Sequence, residues 1–161
     1  MTNIHYRTPT VKDSSTVHAL VAQTKALDLN SWYYYAMFFQ DFRQTCMVVD
    51  VNGELAGFVT GYIRPRYPDT LFLWQTATTL NHGISNLGLN LLDELIKSVQ
   101  KKTDIRYVEA TIDPRNKAIA MQFRLLARKL KAQKSEEIRF AVEDFVQLEH
   151  DEQLIRIGPL Q

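Results

Sequence analysis

Residues 70 to 80, TLFLWQTATTL, make an unbroken run without a formal charge, dense in β-branched and aromatic side chains. Such a run offers no polar side to water, so it predicts a strand covered on both faces at the centre of a sheet. The next stretch of chain constrains the strand's surroundings. After the loop NHGISN (81–86), the stretch LGLNLLDELIKSVQKK puts Leu87, Leu91, Leu92, Leu95, Ile96 and Val99 on one side of a helix, and YVEATI (107–112) reads as another strand. A strand–helix–strand unit of this kind belongs in a layered α/β arrangement.

The rest of the chain does not repeat that unit. Residues 45 to 64 read as a hairpin: TCMVVDV and ELAGFVTGYI flank Asn52-Gly53, a two-residue turn signal. RPRYPD (64–69), with two prolines, reads as a loop. Near the start, Ile4 to Arg7 form a short strand. A helix capped by Asp13 or Ser14 follows and buries Val17, Leu20, Val21 and Thr24. The loop LDLNS (27–31) then leads into a helix from Trp32 to Phe42, capped by Asn30 or Ser31. That helix is apolar on almost every side, which predicts that it lies in a groove. DPRN (113–116) is a turn, with Asn116 capping a helix to about Leu130 that buries Phe123, Leu126, Ala127 and Leu130. Residues 131 to 146 are polar and show no clear period, and DEQLIRIGPL ends the chain on a strand. The order β-α-α-β-β-β-α-β-α-β predicts an α/β (mixed α+β) chain, with a mixed sheet and helices on both faces rather than a doubly wound fold.

At 161 residues and 45% hydrophobic, the chain is expected to form one domain over 1–161 with its own core. Lys+Arg is 19 against Asp+Glu 18, so no strong field steers it to nucleic acid or an anionic membrane. Cys46 is the only cysteine, which excludes an internal disulfide framework. It reads as a buried small hydrophobe, not a nucleophile. His5, His18, His82 and His150 form no ligand spacing, so no metal site is expected. There is no phosphate-binding Walker loop, dinucleotide fingerprint or G-x-S-x-G elbow. MTNIHYRTPTVKD lacks the apolar stretch of a signal peptide and no run reaches about 18 apolar residues, so a soluble, cytoplasmic protein is the expectation.

Nearly the whole chain, in order, resembles the GNAT superfamily of N-acetyltransferases, and within it the diaminobutyrate acetyltransferase family. The runs that carry this are RTPTVKD, LDLNS with Tyr33 and Tyr35, Thr45-Cys46, GFVTGY, DTLFLWQ, YVEATIDPRN, FRLLAR and HDEQLIRIGPL. The resemblance implies a GNAT-like fold, acetyl-CoA as donor and the γ-amine of L-2,4-diaminobutyrate as acceptor, before the cyclisation step of ectoine synthesis. Members of the family often work as homodimers, so a possible homodimer is part of what the resemblance implies. The chain departs from the superfamily at the pyrophosphate loop, R/Q-x-x-G-x-G/A. Here the matching positions are Gly83, Ile84, Ser85, Asn86, Leu87 and Gly88, of which Gly88 alone fits. Main-chain N–H groups at a helix start hold phosphate oxygens there, and a Cβ can block the approach. Asn tolerates positive φ best among non-glycine residues, so the turn itself can survive. Two rivals therefore stay open: a GNAT-fold binding module that does not catalyse, and an acetyltransferase for another amine.

An alkylammonium keeps its proton to about pH 10, so the site must take a proton before the amine can attack. Acetylating one end of diaminobutyrate also requires charged partners for the other. Glu109, on a strand beside the implied cleft, is the candidate base or ammonium partner, against the plainer reading of a surface strand Glu. His150 could bind a carboxylate or shuttle a proton, against an exposed loop His. Asp28 could hold an ammonium, against a helix-start or loop Asp. Trp74 and Gln75 are implied as substrate walls, against plain core. Tyr33 and Tyr35 could reach substrate, against an aromatic core stripe. The backbone of Thr76, Ala77 and Thr78 is expected to meet acetyl-CoA, one N–H polarising the thioester carbonyl, and a splay or bulge would free it. Gly83, Ser85, Asn86, Leu87 and Gly88 would wrap the diphosphate. Asn116 could touch CoA, although capping explains it. Phe123 stands where many members carry the Tyr that protonates the leaving thiolate.

Overall fold

The computed structural model describes residues 1–25 and 27–161. Its strands are β1 (Ile4–Arg7), β2 (Met47–Val51), β3 (Glu54–Arg64), β4 (Tyr67–Thr78), β5 (Tyr107–Ile112), β6 (Lys134–Phe140) and β7 (Glu152–Ile157). Its α-helices are α1 (Ser14–Thr24), α2 (Trp32–Asp41), α3 (Leu87–Gln100) and α4 (Lys117–Lys129). The strands form a seven-stranded mixed sheet in the order β1-β2-β3-β4-β5-β7-β6. β4 takes the middle position that its uncharged run predicts, antiparallel to β3 and parallel to β5.

The sheet separates two cores. Leu71 and Leu73 of β4 join Val108, Ala110, Ile155 and the buried sides of α3 and α4. On the opposite face, Val48 and Phe58 pack with Val17 and Val21 of α1 and with Tyr35 and Phe39 of α2. Asn52 and Gly53 both take positive φ, 52° and 84°, as a tight hairpin turn requires. Ser31 caps α2 by accepting from Tyr34 N, and Asn116 caps α4 by accepting from Ile119 N at 3.2 Å. Cys46 is buried, which pushes its thiol up to about 12. Among the described residues, no helix is long and apolar enough to cross a membrane.

The structure corrects four expectations. The loop predicted over 64–69 shrinks to a turn at Pro65 and Arg66, and β4 begins at Tyr67. Pro68 is tolerated because the β3 register jumps from Ile63↔Leu71 to Arg64↔Tyr67, and pairing with β5 starts only at Thr70, so no regular ladder bond is asked of it. The ambiguous stretch 131–146 holds β6, which adds a strand to the predicted order. β6 is an edge strand, exposed along most of its length, and so lacks the apolar alternation that reveals a strand. The aromatic helix lies on a surface instead of in a groove, for Trp32 and Tyr33 are 62% and 64% exposed. Asp13 stands at the start of α1, but its carboxylate takes Thr10 N and Arg7 and leaves the α1 amides uncapped.

Candidate functional site

The sheet opens at its centre. β5 pairs with β4 over Thr70 to Leu73 and no further, while β4 runs on to Thr78. At the same place the β3 ladder slips: Thr60 pairs with Gln75 and Gly61 with Leu73, so Trp74 is the extra residue of a β-bulge. A bulge increases the local twist and re-aims a side chain. The expected splay is therefore present, and β4 main-chain groups beyond Leu73 have no strand partner toward β5.

A cavity of about 400 Å³ fills this gap, with Asp28, Trp74, Thr76, Thr111, Asp113 and Glu152 on its walls. Trp74 is 48% exposed and stacks on Tyr34 at 4.4 Å between ring centroids. Tyr34 is itself held by a 2.8 Å hydrogen bond to Thr60 Oγ1. Trp74 thus forms a wall and is not core. Gln75 is buried beside it. Its Oε1 accepts from the Tyr35 hydroxyl at 2.9 Å, and its Nε2 donates to the main-chain oxygen of Asp28 at 2.8 Å. That bridge ties the loop before α2 to the central strand, and it explains why the sequence places Tyr35, Gln75 and Asp28 near one site.

The cavity is acidic. Burial pushes the Glu152 carboxyl up from the ordinary carboxylate range, and the negative charges of Asp113 and Asp28 push it further the same way. Arg115 holds Asp113 low, through a side-chain hydrogen bond of 2.9 Å and a main-chain one of 2.8 Å. A cation placed among Asp28, Asp113 and Glu152 relieves their mutual repulsion. A raised carboxyl at Glu152 is also the better match to a proton-transfer role near neutral pH.

A second cavity, of about 390 Å³, lies between the first turn of α3 and one side of α4, with Thr78, His82, Asn86, Gly88, Met121 and Gln122 around it. Asn86 takes the left-handed conformation, φ 58° and ψ 27°, so the turn survives the loss of glycine. Its side chain makes no capping bond, leaving the α3 first-turn amides without a side-chain partner there. His82 Nδ1 accepts from Ile84 N at 2.9 Å and braces the loop. At Gly88 an added Cβ would sit 2.6 Å from Gln122 Nε2, the free end of a flexible side chain that can swing aside. Open amides at a helix N-terminus beside a cavity suit a diphosphate.

The structure divides the remaining candidates. Gln75, Asn116 and Phe123 line the first cavity with Asp28, Trp74 and Thr76. Leu87 lines the second with Thr78, Asn86 and Gly88. Ala77 packs toward the core under α1 and α2. Gly83 and Ser85 sit in the loop before α3, outside either lining. Tyr33 points to solvent against Trp32, and His150 is exposed in the bend before β7. Glu109, the candidate base or ammonium partner, is found already paired. It is 1% exposed, its two oxygens bonded to Arg64 at 2.6 Å and Arg156 at 2.7 Å, and it lines neither cavity. Sequence reasoning missed Glu152 and Asp113 as cavity carboxylates. Their signals were adjacency, in the runs HDE and DPRN, but only the return of β7 beside β5 brings them together.

Comparison with known proteins gives concordant findings. A family model described as "Acetyltransferase (GNAT) family" matches residues 15–123. The chain is 40% identical over 154 residues to a protein of Shouchella clausii named L-2,4-diaminobutyric acid acetyltransferase, covering 95% of this chain and 85% of that one. It is 38% identical to a protein of the same name from Chromohalobacter salexigens, covering 96% and 81%. Among solved structures, it is similar to the diaminobutyrate acetyltransferase EctA of Paenibacillus lautus, in complex with its substrate L-2,4-diaminobutyric acid and coenzyme A. The TM-score is 0.89 at 31% identity, covering 99% of this chain and 96% of that one. A GNAT-family acetyltransferase of Streptococcus pneumoniae, at 19% identity and TM-score 0.71, covering 97% of this chain and 99% of that one, shares the fold.

Proposed function

The chain belongs to the acetyltransferase (GNAT) family, and on that premise we propose that it transfers acetyl from acetyl-CoA to the γ-amine of L-2,4-diaminobutyrate, the acetylation step of ectoine synthesis, as one domain over 1–161. The observation that carries this reading is the acidic cavity at the splay of β4 and β5, set against a second cavity with open helix amides. Diaminobutyrate brings two ammonium groups, which Asp28, Asp113 and Glu152 complement, and Trp74 walls its aliphatic part. The relatives named for this amine support the choice of acceptor.

In the proposed reaction Glu152 takes one proton from the γ-ammonium. The neutral nitrogen attacks the thioester carbonyl, and the oxygen gathers charge against a free main-chain N–H of β4 beyond Leu73. The C–N bond forms and the C–S bond breaks. Phe123 carries no proton to give, so the thiolate takes the second proton shed by the nitrogen. The first-turn amides of α3 hold the diphosphate. Positioning two bound substrates supplies much of the acceleration, and no covalent enzyme intermediate is needed. The free buried thiol of Cys46 suits a reducing cytoplasm, and the exposed Trp32 and Tyr33 suit self-association as a homodimer.

Calorimetric titration with acetyl-CoA, followed by thiol release with diaminobutyrate, ornithine, lysine and polyamines, tests the reading. Binding heat with fastest release on diaminobutyrate is the expected result. No heat at millimolar donor removes the transferase, and equal release on ornithine removes the acceptor assignment.

A further inference from the structure

Glu109 aside, Asp93 is the one buried carboxylate among the described residues, 2% exposed on the otherwise apolar inner side of α3. It lines neither cavity, and the proposed reaction does not use it. A carboxylate at that depth is costly unless cations meet it. Two lysines do. Lys97, one turn further along α3, lies 2.7 Å from its Oδ2, and Lys129, from the last turn of α4, lies 3.5 Å from the same oxygen. Lys129 Nζ also donates to Asn90 Oδ1 at 2.9 Å. Lys97 serves the carboxylate from within its own helix, whereas Lys129 turns it into a tie between two helices.

The tie stands next to the second cavity. That cavity has Gly88 and Leu89 of α3 on one side and Gln122 and Leu125 of α4 on the other. Asn90 and Asp93 follow directly on α3, and Lys129 follows Leu125 by about one turn on α4. Behind them, Leu91, Leu92 and Leu95 of α3 share an apolar core with Phe123 and Leu126 of α4. Apolar packing is non-directional and lets one helix shift on another, whereas a charged donor and its acceptors have one register. A buried ion pair also adds little net stability over apolar side chains of similar volume, so register is the better account of its presence.

We propose that Asp93 and Lys129 are positioning residues for the donor: their pairing sets α4 against α3 and so sets the gap that receives the diphosphate end of acetyl-CoA. This rests on the acetyl-CoA reading above and deepens it. The loop at 81–86 offers the diphosphate no lysine or arginine. Its grip therefore comes from main-chain amides, whose strength depends on distance and direction. A grip of that kind tolerates little change in the width of the gap, and the tie one turn away holds that width.

Calorimetric titration with acetyl-CoA, no amine present, reads the tie directly. Lys129→Met binds acetyl-CoA about 10-fold more weakly than the wild type. The double variant Asp93→Leu with Lys129→Met removes the pair without changing net charge. Its apolar side chains keep the melting temperature at or above the wild-type value, yet it too binds acetyl-CoA about 10-fold more weakly. In steady state the KM for acetyl-CoA rises by the same factor in both variants, and that for diaminobutyrate stays within about 2-fold. Wild-type affinity in the double variant makes the tie structural only and overturns the assignment, as does an equal rise in both KM values. Where one variant fails to fold, the other decides by the same two readings. No heat with the wild type removes the acetyl-CoA reading and this role together, whereas heat that neither variant weakens removes the role alone.

Discussion

Replacing Gln75 by Leu isolates what the Tyr35–Gln75–Asp28 bridge does. The side chain is 6% exposed and is bonded at both ends, at 2.9 and 2.8 Å. Leucine fills the space but satisfies neither partner. The two partners differ in what they can do next. Tyr35 is 0% exposed and its hydroxyl loses one partner but keeps Asn30, at a cost of about 0.5–1.5 kcal/mol. Asp28 lies in an exposed loop, so its main-chain oxygen recovers water and adds little. The sum is about 1 kcal/mol, dominated by the hydroxyl, and for a domain of this size that lowers Tm by roughly 2–4 °C. The loop carrying Asp28 is also untethered. The KM for the amine therefore rises several-fold while that for acetyl-CoA holds, because Gln75 is absent from the second cavity's lining. Tyr35→Phe is the paired control. It strands Gln75 Oε1, gives up the contact with Asn30 and costs at least as much stability, yet it keeps the Gln75 bond to Asp28 and so keeps the amine KM. Thermal melts and steady-state kinetics on both variants decide the matter. Equal rises in amine KM for the two variants, or a matching rise for acetyl-CoA, would refute the tether.

Glu152→Gln lowers turnover by about 100-fold or more, the usual worth of a general base, and unchanged turnover places the base elsewhere. The same variant melts higher than the wild type at neutral pH when no amine is bound. A carboxyl raised by burial binds its proton more tightly folded than unfolded, so its contribution to stability declines as pH rises from the ordinary carboxylate range through the raised value. Melts of the two proteins should accordingly converge on acidification, and a constant gap would contradict the shift. Asn86→Gly binds acetyl-CoA several-fold more tightly in a calorimeter and changes stability by no more than about 1 kcal/mol, since the left-handed turn suits glycine. Unaltered affinity means that position 86 does not approach the diphosphate.

Period and turn chemistry made most of the fold legible. The uncharged run at 70–80 announced a central strand, Asn52-Gly53 announced the hairpin, and Ser31 and Asn116 announced helix starts, because each is a local rule that tertiary context did not override. Local rules failed where a neighbour supplied the reason. β6 is half of a pairing with β7 and carries little apolar signal of its own, and Pro68 entered β4 at a register jump visible only in the assembled sheet.

The site divides in the same way. The residues picked out along the chain, Asp28, Trp74 and the open end of the central strand, do meet at one cavity, and the loop before α3 borders another. Which carboxylate is free was not legible there. Glu109 looked like the base because it sits on the right strand, and two arginines from β3 and β7 claim it. Glu152 carried no signal of its own beyond the run HDE, and antiparallel return of β7 beside β5 carries it to the gap. A one-dimensional pattern reports which way a side chain leaves its own strand. Charge compensation and burial depend on what other strands bring to that point, and for an ionisable group those are what set its chemistry.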